Sequence, residues 1–360
     1  MRQAVTLCVA LALGGEAFVP TRGFIRSPVA QQQRPVSLQA SSLEEQAASF
    51  LESVQESLEK LFTQGTPAAS ASPKGPRADQ IVKQLFDTES QVVDPAAVAA
   101  ACSEDCEWVD MSLSKPIIGK AAIESFLTGK FPAGTKLVAE RIADGAGSSG
   151  FTWHREKEGV EGIGLRGTMF VSLNADGEID YVQEGCEPLF KPGEATAKLL
   201  QEVTKNVEVE ESEPTYTPRT PKNAKEVVEY LWLEAYPGGA KPDEALRLFS
   251  DSIRYEDFNY PDPFVGLEDV EAFVTEFDFP GIEFIAKRIS DGSKGCCFTW
   301  SVKIGGADGP EGISFYECDD KGKVKFIRDI PAPSLLPPLL PPIANLLEPQ
   351  LRVFKPLAAE

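Results

Sequence analysis

Apolar and polar residues alternate along the chain in an order that predicts helices followed by strands. Apolar residues at helical spacing predict one helix from Ala78 to Glu89 and a shorter one from Pro95 to Ala101, and a third helix, Lys120 to Leu127, follows Gly119. The predicted strands begin at 107 and continue near 136–143, 149–157, 164–173 and 178–185. Helices that precede an antiparallel meander predict an α+β domain in which a curved sheet wraps the helices.

The same order of elements occurs a second time. RIADGAGSSGFTW (141–153) and RISDGSKGCCFTW (288–300) match at seven of thirteen positions, 147 residues apart. The offset is 146 for the opening helices and 145 for the last strands, so the match spans about 115 residues. That period is far longer than the 20 to about 50 residues of solenoid repeats. The chain is therefore predicted to hold two tandem copies of one α+β domain.

Composition divides the chain further. The Thr63–Pro76 stretch and the acidic, proline-bearing 206–222 stretch have the composition of linkers. The predicted segments are a leader (1–40), an amphipathic helix (41–62), a linker (63–76), domain 1 (77–205), a second linker (206–222), domain 2 (223–340) and a tail (341–360).

The leader has the features of a targeting segment. An apolar run is followed by Gly15-Glu16-Ala17, which has small residues where a signal peptidase requires them. Phe18 comes next, and the stretch after it contains arginines but no acidic residue until Glu44. This pattern resembles the bipartite plastid-targeting leaders of algae with secondary red plastids. We expect plastid (chloroplast) localisation after removal of a signal and a transit peptide; the alternative is secretion.

The formal net charge of −20 restricts the partners of this acidic protein. Nucleic acids and anionic membranes attract clustered Lys and Arg, which the sequence lacks. The apolar run of the leader is too short for an integral membrane span. A protein partner could bind the amphipathic helix, at residues 42–62, or the proline-rich tail, where Leu335 and Leu339 would lie along a surface.

The sequence contains few residues or motifs that would bind a metal or a cofactor. His154 is the single histidine, which excludes a two-histidine metal site and a histidine triad within one chain, and its place after Trp153 predicts a surface position. Besides Cys8 there are six cysteines, predicted to be small buried hydrophobes, with a thiol switch as the alternative. No dinucleotide, P-loop or GxSxG motif is present, so no cofactor and no metal are predicted.

Several motifs carry a resemblance to a known fold. The strand ends Trp108-Val-Asp110 and Tyr255-Glu-Asp257, the helices GKAAIESF and GLEDVEAF and the terminal hairpins resemble the nuclear transport factor 2-like superfamily, in its SnoaL-like branch. The ending YVQEGCEPLFKPG is similar to plastid-targeted SnoaL-like proteins of plants and algae. The resemblance implies two tandem cone-like domains, each with an apolar pocket between sheet and helices, in which enzymes of the superfamily place an acid or base. It also implies that the two domains pack sheet against sheet, as homodimers of this superfamily do.

The resemblance also indicates candidate residues. Asp110 and Asp257 occupy a position similar to that of the general-base Asp of ketosteroid isomerases in this superfamily; alternatively, each caps the turn after its strand. The position expected to hold a second acid aligns with Met169 and Ser314, and a matching tyrosine, Tyr230, exists only in domain 2. The remaining candidates for pocket lining are Trp108, Trp153, Tyr255 and Trp300, which could equally fill the cores.

Glu184 and Asp329 align on the last strands. Pairing with Arg141 and Arg288, or a surface position, is the favoured interpretation, and a role as pocket acids is the alternative. The sequence thus favours a non-catalytic plastid protein that binds an apolar small molecule or supports a protein assembly. The alternative is an isomerase, cyclase or dehydratase that uses Asp257, and two inward carboxylates beside an open apolar cavity would favour it.

Overall fold

The structure is a computed structural model that describes residues 75–87, 90–132, 135–157, 164–205, 207, 213–277 and 279–332. The predicted leader, the amphipathic helix and the C-terminal tail lie outside the described residues, as does most of the first linker. The two repeats both fall in one compact unit, which begins at Ser70.

Each repeat forms one α+β domain with the same order of elements. Domain 1 consists of α1 (Ala78–Phe86), α2 (Pro95–Ala101), β1 (Cys102–Asp110), β2 (Ile117–Ile118), α3 (Lys120–Lys130), β3 (Thr135–Ile142), β4 (Ser148–Lys157), β5 (Arg166–Leu173), β6 (Ile179–Cys186) and α4 (Glu194–Thr204). Domain 2 consists of α5 (Ala224–Glu229), a π-helical stretch (Tyr230–Ala235), α6 (Pro242–Leu246), β7 (Phe249–Asp257), β8 (Phe264–Val265), α7 (Leu267–Glu276), β9 (Ile282–Ile289), β10 (Gly295–Ile304), β11 (Ala307–Cys318) and β12 (Val324–Pro331).

The two sheets have the same topology. Each has six strands, in the order β2-β1-β6-β5-β4-β3 and β8-β7-β12-β11-β10-β9. All pairs are antiparallel except β1 with β6 and β7 with β12, which are parallel. The prediction of two tandem cone-like α+β domains is confirmed, and the parallel pair is a feature that the predicted meander did not include.

Local sequence explains where the helices begin. Asp94 caps α2, since its Oδ1 accepts hydrogen bonds from the backbone N of Ala96 (3.0 Å) and Ala97 (3.3 Å). Gly119 and Gly266 precede α3 and α7 with φ of +87° and +91°, a conformation that side chains with a Cβ rarely adopt. The glycine-led helix that recurs in the sequence is therefore a backbone requirement.

The helices of each domain pack into the concave face of its sheet. In domain 1 the fully buried side chains include Trp108, Phe151 and Trp153, and the Phe86 ring of α1 lies 5.0 Å from that of Phe151. In domain 2 the equivalent Phe298 packs against Trp232 of the π-helical stretch, with ring centroids 4.9 Å apart. Each domain thus has its own apolar core.

The two domains pack sheet against sheet, as predicted. A third apolar cluster lies between the sheets and joins Phe170 of β5 to Phe315 of β11. Two arginines mirror each other across this contact: Arg141 lies over the ring of Phe326 (3.8 Å), and Arg288 over that of Tyr181 (3.7 Å). The two domains are thus arranged like the subunits of a pseudosymmetric dimer within one chain.

The recurring Asp-Gly dipeptides form hydrogen bonds across the contact between the two domains. Asp144 Oδ1 accepts hydrogen bonds from the backbone N of Ser293 (2.7 Å) and Lys294 (2.8 Å) in domain 2, and Asp291 Oδ1 accepts one from Ser148 N (3.0 Å) in domain 1. A Cβ on the following residue, Gly145, would lie 1.8 Å from a backbone oxygen, so only glycine fits. The Asp-Gly motif that reveals the duplication therefore also joins the two domains, because each aspartate binds backbone N–H groups of the other domain.

Candidate active site

Domain 2 contains an apolar cavity of about 290 Å³ between its helices and the concave face of its sheet. This volume is near the lower end of the range for small-molecule sites. The wall is largely aromatic and includes Trp232, Tyr236, Phe273, Phe284, Trp300 and Tyr316. The cavity therefore has the size and the apolar lining that suit a small apolar ligand.

Two carboxyl groups face this cavity. Asp257 ends β7 and Asp329 lies in β12, and the two residues are direct partners in the parallel pairing of these strands. Neighbouring strands are spaced by about 4.8 Å, and paired residues project to the same face, so the two side chains are adjacent. No Lys or Arg is among the described residues that line the cavity.

Asp329 is held by a chain of hydroxyl donors. The Tyr255 hydroxyl donates to its Oδ2 and the Ser314 hydroxyl to its Oδ1. Trp300 Nε1 in turn donates to Ser314 Oγ at 2.7 Å. Burial raises the pKa of Asp329 to about 6, although these hydrogen bonds favour the charged form.

Asp257 is the more strongly perturbed member of the pair. Its Oδ1 accepts a hydrogen bond from Asn259 N at 2.8 Å, which caps the turn after β7. Burial, together with the neighbouring charge of Asp329, raises its pKa to about 7. Near neutral pH Asp257 can therefore either accept or donate a proton.

The equivalent position in domain 1 is arranged differently. Lys130, at the end of α3, places its ammonium group between two carboxylates, 2.5 Å from Asp110 Oδ2 and in direct contact with Glu184 Oε1. Trp108 Nε1 also donates to Glu184 at 3.3 Å. Despite burial, the charge of Lys130 and hydrogen bonds from Lys130 and Ser112 lower the pKa of Asp110. The two acids of domain 1 thus share one cation.

One substitution accounts for this difference between the domains. At the offset of 147, Lys130 corresponds to Phe277, whose side chain lines the cavity of domain 2. Domain 2 keeps two acids at the matching positions, while an aromatic ring replaces the cation. Lys130 and Phe277 were not singled out from the sequence, although their opposite character was visible in the aligned repeats.

Some of the residues predicted to form a site line the cavity of domain 2, and others do not. Asp257, Tyr255 and Trp300 line the cavity of domain 2. Trp108 and Trp153 are fully buried in the core of domain 1. Tyr230 is not among the residues that line the cavity: its hydroxyl donates to Glu244, and the guanidinium of Arg219 lies 4.9 Å from its ring.

Asp110 has one of its predicted roles, as the cap of a turn, and one contact that was not predicted. It caps the turn after β1 by accepting a hydrogen bond from Ser112 N at 2.9 Å, and it also pairs with Lys130. Asp110 and Asp257 therefore each cap the turn after their strand, which was the alternative to a general-base role. Only Asp257 faces the described cavity as well.

Three interpretations of charged residues need correction. Glu184 pairs with Lys130, and Asp329 lines the cavity, so neither pairs with the recurring arginines. Arg141 instead pairs with Glu317 across the domain contact, at 3.0 Å. His154 is not at the surface but 8% exposed, and its ring contacts Glu140 (3.0 Å) and Glu156 (3.3 Å). The predicted surface position of His154 was wrong because the sheet face opposite Trp153 is also covered by protein.

The described residues contain neither a metal site nor a membrane-spanning helix. Within them, no group of three or more His, Cys, Asp or Glu side chains has the geometry of a metal site. None of the helices in the described ranges is both long enough and apolar enough to cross a membrane. The six cysteines from Cys102 to Cys318 are free thiols, five of them buried.

Several solved structures are similar to parts of this chain. No protein-family model matches the sequence, and no curated protein matches it. Similar solved structures include a SnoaL-like protein from Agrobacterium tumefaciens (23% identity, TM-score 0.26, 31% of this chain and 97% of that chain). They also include an NTF2-like protein of unknown function from Burkholderia xenovorans (16%, 0.27, 34% and 90%) and a SnoaL-like protein from Jannaschia (15%, 0.25, 37% and 96%). The solved structures similar to this chain thus include SnoaL-like and NTF2-like proteins, the group that its sequence motifs resemble.

Proposed function

We propose that domain 2 binds a small, largely apolar molecule that carries a carbonyl or hydroxyl group. The observation that supports this most directly is an aromatic cavity with two adjacent buried carboxyl groups and no cation in its described lining. Each carboxyl oxygen can accept more than one hydrogen bond, so a ligand that hydrogen-bonds Asp257 or Asp329 would be selected over a plain hydrocarbon. Domain 1, whose acids are paired with Lys130, acts as a structural partner.

Binding can be tested with 2-naphthol, a neutral fused-ring alcohol. Trp232 and Trp300 line the cavity, so a bound ring should change their fluorescence. We expect saturable binding at one site per chain. Phe277→Lys should weaken it at least tenfold by placing an ammonium group beside the acids, whereas the matched Phe277→Leu should weaken it less than threefold. Absence of saturable binding, or equal binding by both variants, would contradict the proposal.

A second function, proton transfer on the bound molecule, is favoured by one further observation. Asp257 has a pKa of about 7, which is suited to a general base at neutral pH. Tyr236 and Tyr316 line the same cavity, and burial raises the pKa of both, so each remains a phenol that can donate a hydrogen bond. A base contributes about 10² to 10⁴ in rate, and a donor to the developing oxyanion about 10² to 10³. Together they reach the lower range of enzymes, which the base alone does not.

Proton transfer would be measured as exchange of the α-hydrogens of 2-tetralone, a fused-ring ketone, for deuterium. In this reaction Asp257 takes a proton from the carbon next to the carbonyl and returns a deuteron from solvent. We expect Asp257→Asn to slow exchange at least 100-fold, and Asp110→Asn to leave it within threefold of the unmodified protein. If neither substitution alters exchange while 2-naphthol still binds, domain 2 is a binding site without this chemistry.

For the cellular location we propose import into a plastid, directed by residues 1–40. The support is the composition of the leader, which has a signal-like apolar run followed by a basic, acid-free stretch beginning at Phe18. A fusion of residues 1–40 to a fluorescent protein, expressed in an alga with a secondary plastid, tests this. Fluorescence in the medium instead of the plastid would favour secretion.

A further inference from the structure

Helix α4 belongs by sequence to domain 1 but lies against the cavity of domain 2. It follows the last strand of the first sheet, and Thr196 and Leu200 both line the cavity. Residues four apart project from the same face of a helix, so these two define the inner face of α4. The opposite face carries Glu194 and Lys198, which are 78% and 75% exposed and pair with each other at 3.3 Å.

The beginning of α4 is fixed to the candidate active site. Gly193, which precedes the helix, donates its backbone N–H to the carbonyl of Asn259 at 2.8 Å. Asn259 in turn donates its own N–H to Asp257 Oδ1. Gly193 has φ +56° and ψ −130°, a conformation open to glycine but strained for other residues. The helix is therefore held against the turn that positions Asp257.

Thr196 has an unused hydrogen-bonding group in this wall. Its Oγ1 is buried and has no hydrogen-bond partner among the described residues, although a helical threonine can donate to a backbone carbonyl of the preceding turn. A buried hydroxyl without a partner is unfavourable, and a bound polar group that hydrogen-bonds it would remove this cost. Leu200, one turn further, presents an apolar surface beside it.

We infer that α4 completes the binding site of domain 2, with the Thr196 hydroxyl hydrogen-bonding a second polar group of the ligand and Leu200 covering its apolar body. This inference rests on the proposed binding function, and it narrows the ligand class. The ligand is an apolar ring compound with two separated polar groups, one for the Asp257–Asp329 pair and one for Thr196. It also makes the site depend on both repeats, since a polypeptide of domain 2 alone would lack this wall.

The inference predicts how ring compounds with one and two hydroxyls differ. The probes are 2-naphthol, 2,6-dihydroxynaphthalene and 2,7-dihydroxynaphthalene, each titrated against the full chain. We expect at least one diol to bind about fivefold or more tightly than 2-naphthol, the factor of about one net hydrogen bond. Thr196→Val should remove that advantage and Thr196→Ser should keep it. Leu200→Ala should weaken all three probes by about three- to tenfold, and Lys198→Ala, on the exposed face, should not.

A measurement without substitutions guards against variants that fold poorly. Hydrogen exchange of the α4 amides should slow when 2-naphthol saturates the unmodified protein, because the ligand contacts the helix. The inference is overturned if 2-naphthol binds and Phe277→Lys abolishes binding, yet α4 shows no protection and the Thr196 and Leu200 variants bind all probes normally. If 2-naphthol does not bind the unmodified protein, the proposed function itself has failed.

Discussion

The adjacent acids of domain 2 should make the protein less stable as the pH rises, and Asp257→Asn should reverse this effect. Asp257 is only 9% exposed and adjoins Asp329, so ionising it in the folded state costs free energy. Asparagine has the same shape and can still accept the hydrogen bond from Asn259 N. The substitution removes a charge without opening a cavity.

The magnitude follows from the pKa of Asp257. A rise from an ordinary 3.8 to about 7 corresponds to about 4 kcal/mol in favour of the neutral form, at about 1.4 kcal/mol for each pH unit. A folded-state pKa above the unfolded one means that stability is fully present below about pH 4 and is lost as the pH rises to about 7. We expect Asp257→Asn to raise the free energy of unfolding by about 2 to 4 kcal/mol at pH 8, and by less than 1 kcal/mol near pH 4.

Asp110→Asn is the matched control in domain 1, and its effect should have the opposite sign. Lys130 lowers the pKa of Asp110, so this carboxylate contributes stability above its unfolded pKa and loses it as the pH falls. Losing one charge-assisted hydrogen bond should lower the free energy of unfolding by about 1 to 2 kcal/mol at pH 8. One repeated position thus predicts two opposite outcomes.

Urea unfolding at several pH values between 4 and 8.5, followed by tryptophan fluorescence and circular dichroism, measures both effects. Because ΔG is extrapolated from the slope, the two variants should be compared at unchanged m value. The reasoning fails if Asp257→Asn destabilises the protein at pH 8. It also fails if the gain is the same at every pH, since a gain from lost charge must follow ionisation.

Three further predictions concern the cation and the domain contact. Phe277→Lys should lower the pKa of Asp257, measured by NMR of its carboxyl carbon; an unchanged pKa would show that the ammonium group does not reach the acids. Asp144→Ala and Asp291→Ala should each lower the free energy of unfolding by about 1 to 3 kcal/mol in urea, since each leaves backbone donors of the other domain without a partner. Arg328→Met should lower it by about 1 to 3 kcal/mol, because Glu256 and Glu140 lose the guanidinium that they share, although Arg254 (3.0 Å) and His154 (3.0 Å) still contact them; a neutral effect would mean that these two contacts suffice.

The sequence predicted the fold well because its evidence was local and occurred twice. Helical spacing, glycine-led helices and hairpin turns each specify a short stretch, and the constant offset showed that the stretches form one domain copied once. The role of Asp144 and Asp291 was less accessible. Their recurrence was visible, but a carboxylate that binds backbone N–H groups about 150 residues away has the same local pattern as a simple turn.

The candidate site was predictable only in part, for a related reason. Lys130 stands at the end of a helix, where a lysine usually favours the helix dipole and extends into solvent. Nothing in its neighbours shows that the chain turns its ammonium group inward to Asp110 and Glu184. Thr196 was equally hidden, since α4 contacts a domain to which it does not belong by sequence.

The domain contact explains how domain 2 can tolerate two unpaired acids. Strand neighbours alternate between faces, so the residues next to the acids, Glu256 and Arg328, project to the other side of the sheet. There Arg328 pairs with Glu256 at 2.7 Å and reaches domain 1 through Glu140 (2.9 Å) and the carbonyl of Gly167 (3.1 Å). The same two strands therefore carry unpaired acids on the cavity face and paired charges on the contact face. The paired face thus ties both strands to domain 1, since Arg328 of β12 contacts Glu140 and Arg166 contacts Glu256 of β7 (3.8 Å), and this contact supports the strand pairing that keeps Asp257 and Asp329 adjacent.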